Sequence, residues 1–338
     1  MSGNATFTLS DTAILAIESE HAPEIVPSSL FDDRLIPTYD RLGMRGGVLE
    51  SLAGITERRW WPEGFTFTDA AAKAGAKALA ASGIDPSRIG LLIDTSVCRD
   101  RLEPSAAVTV HNQLGLPSST INFDLANACL GFLNAMHLAG NMLDNHQIDY
   151  ALIVDGEGSR ETQESTLDRL SGPDATIDDL FAEFATLTLG SGAAAMVLGR
   201  KSENPSGHSV VRGVTRNDTS HHELCVGNLQ QMRTDTKALL DAGVALCNDA
   251  WDEADFGWED MDRYILHQVS AVHTHSLCEQ LGINPKLAPL TFPTLGNIGP
   301  ASVPLTLADE AEHLQAGDRV LCMGIGSGIN TSFIEILW

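Results

Sequence analysis

The amino-acid sequence predicts an α/β protein made of two copies of one folding unit. Helix-forming segments alternate with short, β-branched apolar runs, a pattern typical of strands that are buried on both faces of a sheet. Two segments recur in the same order about 170 residues further along the chain, which indicates an internal repeat. No low-complexity linker interrupts the sequence. We therefore expect two similar halves, residues 1–203 and residues 204–338.

The repeated segments define the two halves. QLGLPSSTINFDLANACLG, from Gln113, matches QLGINPKLAPLTFPTLGNIGPAS, from Gln280, and DYALIVDGEG matches DRVLCMGIGSG. A third pair, LGSGAAAMVLG and IGSGINTSFIEIL, is only about 135 residues apart, which predicts an insertion in the first half at about residues 160–189. In a fused duplication the equivalent strand ends converge, and loops at strand ends commonly form sites.

The order of helices and strands also repeats. In each half a helical pattern precedes a strand pattern: 68–82 before 90–97, and 235–248 before 263–270. We expect Thr68 to cap the first helix and Gly83 to end it.

Composition and charge restrict the classes of partner and compartment. The formal net charge of −24, from 45 acidic and 21 basic residues, repels nucleic acid and anionic membranes, so we exclude both as partners. The N-terminus lacks the cationic start and apolar run of a signal peptide, and no stretch reaches the roughly 18 apolar residues of a membrane span. The six cysteines show no metal-ligand spacing. We expect a cytoplasmic protein with reduced thiols, no metal and no redox cofactor.

One cysteine lies where the two halves are expected to meet. Cys129 follows the strand pattern INFDLANA and precedes an apolar helical pattern about fourteen residues long. A helix N-terminus carries partial positive charge and free N–H groups, which should lower the pKa of the thiol and could hold an oxyanion. The alternative is a buried core cysteine.

The second half supplies possible partners for Cys129. Asn297 (GNIGPAS) occupies the position that matches Cys129 in the repeat, and His267 (ILHQVS) ends a predicted strand. A histidine at a strand end is otherwise a structural residue. A cysteine, a histidine and an asparagine at one seam would form a nucleophilic site in which the last two bind the oxygen of an enolate. The glycine spacing of GIGSG (324–328) is not that of a dinucleotide loop, so we expect a tight turn that directs the backbone N–H of Ser327 towards the Cys129 thioester.

These segments resemble those of a known superfamily. DLANACLGF, LHQVS and GNIGPAS are similar to the nucleophile, histidine and asparagine motifs of β-ketoacyl-ACP synthase III and its thiolase-superfamily relatives, and AGITERR and GIGSGIN resemble two further motifs. The resemblance runs in order from about residue 35 to the end. It implies a thiolase-like five-layered αβαβα sandwich made of two duplicated halves, and a homodimer. It also implies that Cys129 carries an acyl group, that His267 and Asn297 stabilise an enolate, and that the N–H groups of Cys129 and Ser327 form the other oxyanion hole.

The loop SVCRDRLEPSAA (96–107) departs from the synthase pattern. Where β-ketoacyl-ACP synthase III has an apolar aromatic residue that closes the partner subunit's acyl pocket, this chain has Glu103. A decarboxylating synthase needs no base there, whereas a carboxylate in an apolar pocket suits removal of a Cα proton. We predict Glu103 as a general base donated to the partner subunit; the alternative is an exposed loop glutamate.

Four segments resemble the OleA-type condensing enzymes of bacterial olefin biosynthesis: PTYDRLG, RDRLEPS, TLTLGSGAAAMVL and MRTDTKALL. The resemblance implies non-decarboxylative Claisen condensation of two long-chain acyl-CoA molecules to a 2-alkyl-3-ketoacid, through an acyl-Cys129 thioester, in olefin (hydrocarbon) or β-lactone biosynthesis. The coenzyme A thioesters are substrates rather than cofactors, and other enzymes of the olefin pathway are candidate partners. Arg58 and Arg59 are candidates for binding the coenzyme A phosphates, or else solvated surface arginines.

Three other functions remain open at this point. The first is a decarboxylating synthase that uses a malonyl donor. The second is a non-catalytic acyl-binding subunit of the same fold, and the third is plain thioester hydrolysis.

Overall fold

The computed structural model describes residues 4–338, which form fourteen strands and ten α-helices. The strands are β1 (Thr6–Thr8), β2 (Thr12–His21), β3 (Glu24–Pro27), β4 (Glu57–Trp60), β5 (Ile89–Asp94), β6 (Ile121–Asp124), β7 (Tyr150–Glu157), β8 (Gly192–Arg200), β9 (His208–Asn217), β10 (Cys225–Gly227), β11 (Met232–Thr234), β12 (Arg263–Leu266), β13 (Arg319–Gly326) and β14 (Asn330–Leu337). The helices are α1 (Ser28–Leu42), α2 (Phe67–Ser82), α3 (Ala106–Gln113), α4 (Gly131–Asp144), α5 (Arg160–Leu170), α6 (Ile177–Leu187), α7 (Thr236–Ala254), α8 (Ala271–Leu281), α9 (Phe292–Leu295) and α10 (Ser302–Glu310).

The large mixed sheet contains the same pairing pattern twice. Its order is β12-β13-β14-β9-β2-β8-β7-β5-β6, with β1 paired to β9. In one group β2, β8 and β7 are antiparallel in turn and β7 is parallel to β5; in the other, β9, β14 and β13 are antiparallel in turn and β13 is parallel to β12. Within residues 4–338 these two groups pair where Ala13 and Ile14 meet Ser209 and His208. The predicted boundary at 203/204 falls between β8 and β9, and the division into two domains stays a prediction.

Three helical layers enclose the two strand groups. Helices α4 and α10 lie between the groups, because Met136 and Leu307 share one core with Ile93 of the first group and Ile334 of the second. Helix α2 covers the outer face of the first group, and α7 and α8 cover the outer face of the second. This is the predicted five-layered αβαβα arrangement, and its central layer buries a face of each strand group.

The predicted elements occur with shifted ends. Gly83 ends α2 in the left-handed conformation, as predicted, but Thr66 rather than Thr68 is the N-cap. The Thr66 hydroxyl accepts the Asp69 N–H at 3.0 Å in a capping box, whereas the Thr68 hydroxyl donates to Asp100 at 2.8 Å.

The strands before the site are shorter than predicted, and one helix is longer. β5 ends at Asp94, since its side chain accepts the Ser96 N–H and turns the chain out of the sheet. β12 ends at Leu266 rather than at residue 270. Helix α7 continues past residue 248, because Trp251 packs in the core of the second half.

The predicted insertion, residues 160–189, contains α5 and α6. A capping box begins α6, where Thr176 and Asp179 bond to each other's backbone N–H. No helix within residues 4–338 is long and apolar enough to cross a membrane.

Candidate active site

One cavity of about 1060 Å³ contains four of the predicted site residues. It is lined by Cys129, His267, Asn297 and Ser327, so both strand groups contribute to one space. Apolar side chains from several elements share the lining; they are Leu52, Phe181, Phe184, Leu240 and Val272. A large, mostly apolar space with a few convergent polar groups is the usual form of a binding site for an apolar ligand.

A strained turn presents Cys129. The preceding residue, Ala128, has a φ of 45°, in the left-handed region that a residue with a Cβ rarely occupies. The N–H groups of Leu130 and Gly131 donate back to the carbonyls of Asn127 and Ala128. Helix α4 begins at Gly131, so the thiol lies just before a helix N-terminus, as predicted.

The expected lowering of the Cys129 pKa is wrong. Burial, together with the nearby Cys225, Glu157 and Asp155, raises the pKa of this thiol to about 12. A backbone hydrogen bond at Cys129 favours the thiolate but is the smallest of these effects. The resting thiol therefore carries its proton at neutral pH.

His267 is held directly after β12. Its N–H donates to the Met323 carbonyl at 2.8 Å, and its side chain packs on Gly324, where an added Cβ would lie 2.9 Å from the histidine Cβ. Burial lowers the pKa of His267 to about 3, so the imidazole is neutral. Within residues 4–338 its Nδ1 has no hydrogen-bond partner. A neutral imidazole can donate one N–H to a developing oxyanion.

The amide of Asn297 is oriented by its own loop. The Asn297 N–H donates to the Thr188 carbonyl at 2.9 Å, and its carbonyl accepts the Gly190 N–H at 2.8 Å. Its side-chain Oδ1 accepts the Gly299 N–H at 2.9 Å. Because Oδ1 is occupied, the Nδ2 group is the end of the amide available to donate into the cavity.

Ser327 lies in the turn between β13 and β14, against Cys129. A Cβ added at Gly326 would lie 3.5 Å from the Cys129 backbone nitrogen, so glycine brings the two backbones together. The Ser327 carbonyl accepts the Asn330 side-chain amide at 2.8 Å, which fixes the turn. The turn therefore lies next to the Cys129 backbone, and Ser327 lines the same cavity; its use as an oxyanion donor stays a prediction.

Glu103 is not part of this cavity within one chain. It is exposed in the loop between β5 and α3, next to Leu102, which is 96% exposed. A single chain therefore does not bring this carboxylate to Cys129, and its catalytic role stays a prediction.

The two arginines that were candidates for binding coenzyme A make contacts within the protein. Arg58 is fully buried, donates to the Val26 and Leu187 carbonyls and stacks 4.4 Å from the centre of the Phe31 ring, so the prediction for Arg58 is wrong. Burial lowers the pKa of Arg58 to about 10. Arg59 pairs with Glu57 on β4 and is absent from the cavity lining. Both lie on β4, where the side chains of successive residues point to opposite faces, so that of Arg58 points inward and that of Arg59 outward.

Sequence reasoning missed several reactive side chains in the cavity, among them Glu157, Cys225 and His273. Glu157 ends β7 within the repeated segment DYALIVDGEG, so its place at a converging strand end could have identified it. Burial raises the pKa of Glu157 to about 7 and lowers that of His273 to about 4. Nothing in the local sequence of Cys225 or His273 indicates that they face the cavity.

The six cysteines are free, and no group of three or more metal-binding side chains occurs in the described part of the chain.

Comparisons with known proteins identify relatives over the whole chain. The family model for 3-oxoacyl-[acyl-carrier-protein] synthase III matches residues 123–218, and the model for its C-terminal part matches 251–337. The acyl-CoA:acyl-CoA alkyltransferase of Xanthomonas campestris pv. campestris is 44% identical, with 97% of this chain and 99% of that protein covered. The enzyme of the same name from Shewanella oneidensis is 36% identical over 96% of this chain and 98% of its own length. A β-ketoacyl-[acyl-carrier-protein] synthase III of Staphylococcus aureus is 25% identical over 94% and 96%.

Solved structures agree with the fold. The cerulenin-bound OleA of Xanthomonas campestris superposes with a TM-score of 0.97 at 43% identity and covers 98% of each chain. Structures of that protein with a substituted cysteine, histidine or glutamate superpose equally well.

Proposed function

Because the chain belongs to the acyl-CoA:acyl-CoA alkyltransferase family, we propose that it joins two long-chain acyl-CoA molecules by a non-decarboxylative Claisen condensation. The product is a 2-alkyl-3-ketoacid, a β-keto acid. The observation that carries the proposal is the single cavity in which Cys129, His267, Asn297 and Ser327 meet among apolar side chains. The apolar lining suits two alkyl chains, and the polar groups suit two developing oxyanions.

The first half-reaction acylates Cys129. The thiol attacks the thioester carbonyl of the first acyl-CoA, the bond to the coenzyme A sulfur breaks, and coenzyme A leaves as the thiol with the proton from Cys129. The backbone N–H groups of Cys129 and Ser327 stabilise the tetrahedral oxyanion. Because the resting thiol is protonated, its proton transfer accompanies the attack.

The second half-reaction forms the carbon–carbon bond. Glu103 of the partner subunit removes a Cα proton from the second acyl-CoA, and the neutral His267 and the Asn297 amide donate hydrogen bonds to the enolate oxygen. The enolate attacks the Cys129 thioester carbonyl and expels the Cys129 thiolate. The thiolate takes up one proton and Glu103 gives up the one that it removed, so both groups return to their starting states. Water then cleaves the β-ketoacyl-CoA to the β-keto acid and coenzyme A.

The exposure of Glu103 supports its donation across a dimer. Glu103 is exposed, although residues 99–102 directly before it line the cavity of their own chain, so a second copy that covers this loop would give the carboxylate a buried environment. A carboxylate that enters an apolar acyl cavity becomes a stronger base through desolvation. The homodimer, the long acyl chains, the cytoplasmic location and a role in an olefin or β-lactone pathway are parts of the proposal that follow from the resemblance.

Incubation with a single long-chain acyl-CoA tests the function. We expect a condensed β-keto acid, or the ketone left by its decarboxylation, in chromatography coupled to mass spectrometry. A product formed only with a malonyl donor would indicate the decarboxylating synthase, and free fatty acid alone would indicate a hydrolase. If intact-mass analysis finds no acyl adduct on Cys129, the protein is an acyl-binding subunit.

The variant Glu103→Ala tests the assignment of the base. It should still form the acyl-Cys129 adduct but lose condensation by about 100-fold or more, since a general base contributes at least that much. Glu312→Ala, at an exposed glutamate in a distant surface turn, is the matched control. Wild-type turnover by Glu103→Ala would show that another group removes the proton.

A further inference from the structure

Glu157 is a buried carboxyl group that the mechanism above does not use. It ends β7, is 5% exposed, and lines the cavity that contains Cys129. Its carboxylate accepts hydrogen bonds from two consecutive backbone N–H groups, those of Val97 and Cys98, the latter at 3.2 Å. Those two residues lie near the start of the loop between β5 and α3, which carries Glu103.

Burial and the neighbouring acids disfavour the charged form of Glu157, whereas its contacts with this loop favour that form. Burial raises its pKa to about 7, and the buried Asp94 and Asp155 lie in the same cluster. Within residues 4–338 no lysine or arginine pairs with Glu157; the groups that favour its ionised form are the Val97 and Cys98 contacts. An unpaired buried carboxylate is costly unless hydrogen bonds compensate for the lost water. The loop N–H groups are therefore its principal partners.

Other contacts fix the rest of the loop but leave its tip free. Asp100 accepts the Phe67 and Thr68 N–H groups, while Asp124 binds Arg99 and accepts the Ala106 and Ala107 N–H groups. The exposed tip, Leu102–Glu103, stands between these anchors. Glu157 is the anchor at the base of the loop on the cavity side.

We propose that Glu157 is the positioning residue for Glu103. By holding the Val97 and Cys98 N–H groups, it sets how far Glu103 reaches into the site of the partner subunit. This inference rests on the proposed function, including the homodimer. Its specific consequence is that loss of Glu157 lowers condensation at the partner's site, whereas in its own chain it removes only a charge that disfavours the Cys129 thiolate.

The alternative is an action of Glu157 on its own site. The loop that carries Asn297 also passes near Glu157, since a Cβ added at Gly299 would lie 3.7 Å from the Glu157 Cδ. The hydrogen bonds of the carboxylate within the described residues go to Val97 and Cys98, so the structure favours that path.

The variant Glu157→Gln weakens the hold on Cys98. Oε1 of Glu157 accepts the Val97 N–H and, at 3.4 Å, the Cys98 N–H, whereas Oε2 accepts the Cys98 N–H at 3.2 Å. With an NH₂ group in place of Oε2, the shorter Cys98 contact is replaced by two donors that face each other. In the homodimer we expect condensation to fall about tenfold or more. Acylation of Cys129 should not fall, because loss of the Glu157 charge removes one of the causes of the raised Cys129 pKa. Full wild-type condensation by this variant would overturn the inference. If Glu157→Gln does not fold, Glu157→Asp, whose shorter side chain cannot reach both N–H groups, takes its place.

Mixed dimers locate the defect. Each mixed dimer is purified through two different affinity tags, one on each chain. In the first, one chain carries Cys129→Ala and the other carries Glu157→Gln. The only site with a nucleophile then lies in the Glu157→Gln chain and receives Glu103 from the chain with intact Glu157. We expect condensation at this site to recover to the level of a mixed dimer of Cys129→Ala with Glu312→Gln.

A second mixed dimer separates the two ways of failing. Cys129→Ala paired with Glu103→Gln should recover in the same manner, because its working site also receives an intact Glu103. If this pair stays inactive, Glu103 is not donated between subunits, and the proposed function fails together with the inference. If it recovers while the Glu157→Gln pair stays impaired, Glu157 acts on its own site and the inference alone is overturned.

Discussion

The substitution Asp94→Asn should stabilise the protein at alkaline pH and have little effect at acid pH. Asp94 ends β5 with its side chain fully buried; Oδ1 accepts the Ser96 N–H at 3.0 Å, and Oδ2 has no partner in the described residues. Burial, together with the charge of Asp124, raises the pKa of Asp94 from 3.8 to about 6. At about 1.4 kcal/mol per unit, the shift corresponds to about 3 kcal/mol.

The sign follows from the direction of the shift. Since the folded pKa lies above the unfolded value, the stability contributed by protonated Asp94 is complete below 3.8 and is lost as the pH rises through about 6. Asparagine has nearly the same shape, keeps the oxygen that accepts the Ser96 N–H and cannot ionise. The variant should therefore gain about 3 kcal/mol over wild type between about pH 4 and about pH 8.

Urea unfolding of both proteins at a series of pH values measures this difference. Asp174→Asn, at an exposed aspartate, is the matched control for loss of one negative charge. The reasoning is refuted if the difference in unfolding free energy between Asp94→Asn and wild type is the same near pH 4 and near pH 8.

Three further predictions follow from the site and its surroundings. Arg58→Met should lower the unfolding free energy by roughly 2 kcal/mol, because two buried carbonyls lose their donor. Arg59→Met should change the unfolding free energy little. Neither variant should change KM for acyl-CoA in a steady-state assay. Gly190→Ala would place a Cβ 1.8 Å from a backbone carbonyl oxygen and should reduce condensation more than acylation, while Gly46→Ala, with no atom closer than 3.6 Å, should match wild type in both. Since burial raises the Cys129 pKa to about 12, its alkylation by iodoacetamide, followed by peptide mass spectrometry, should accelerate about tenfold per pH unit through about pH 9; a plateau near pH 8 would contradict the raised pKa.

The repeat in the sequence predicted two similar α/β halves and the meeting of site residues, whereas the five-layered arrangement followed from the family resemblance. Strand periodicity and the matched segments indicated equivalent strand ends, and the structure accordingly brings Cys129, Asn297 and His267 into one cavity. These features depend on backbone pairing and on apolar patterning, which recur in both halves. The roles of the three residues stay predictions that the acylation and condensation assays test.

Tertiary surroundings explain what the sequence did not predict. The strand ERRW alternates, but the sequence does not say which face is buried, so Arg58 could be read as a solvent-facing cation although the fold encloses it. The pKa of Cys129 depends on burial and on acids from β7, about thirty residues distant in sequence, rather than on its own helix. His273 and Cys225 face the cavity only because their elements pack against it.

The buried acids show how stability and site geometry are related. Each residue from 95 to 98 is bound by an acid of β5 or β7: the Thr95 hydroxyl by Asp155 at 2.5 Å, the Ser96 N–H by Asp94, and the N–H groups of Val97 and Cys98 by Glu157. All three acids have raised pKa values, so their ionisation opposes folding near neutral pH.

The two kinds of substitution should separate these effects. Asp94 accepts a hydrogen bond from one N–H, and asparagine can accept it too. Asp94→Asn should therefore gain stability and keep condensation. Glu157 uses both carboxylate oxygens on the Val97 and Cys98 N–H groups, and glutamine replaces the oxygen of the shorter Cys98 contact with a donor, so Glu157→Gln should lose condensation even where it gains stability. A protein in which both variants gained stability and both kept full condensation would show that these acids do not position the loop, and their burial would then need another explanation.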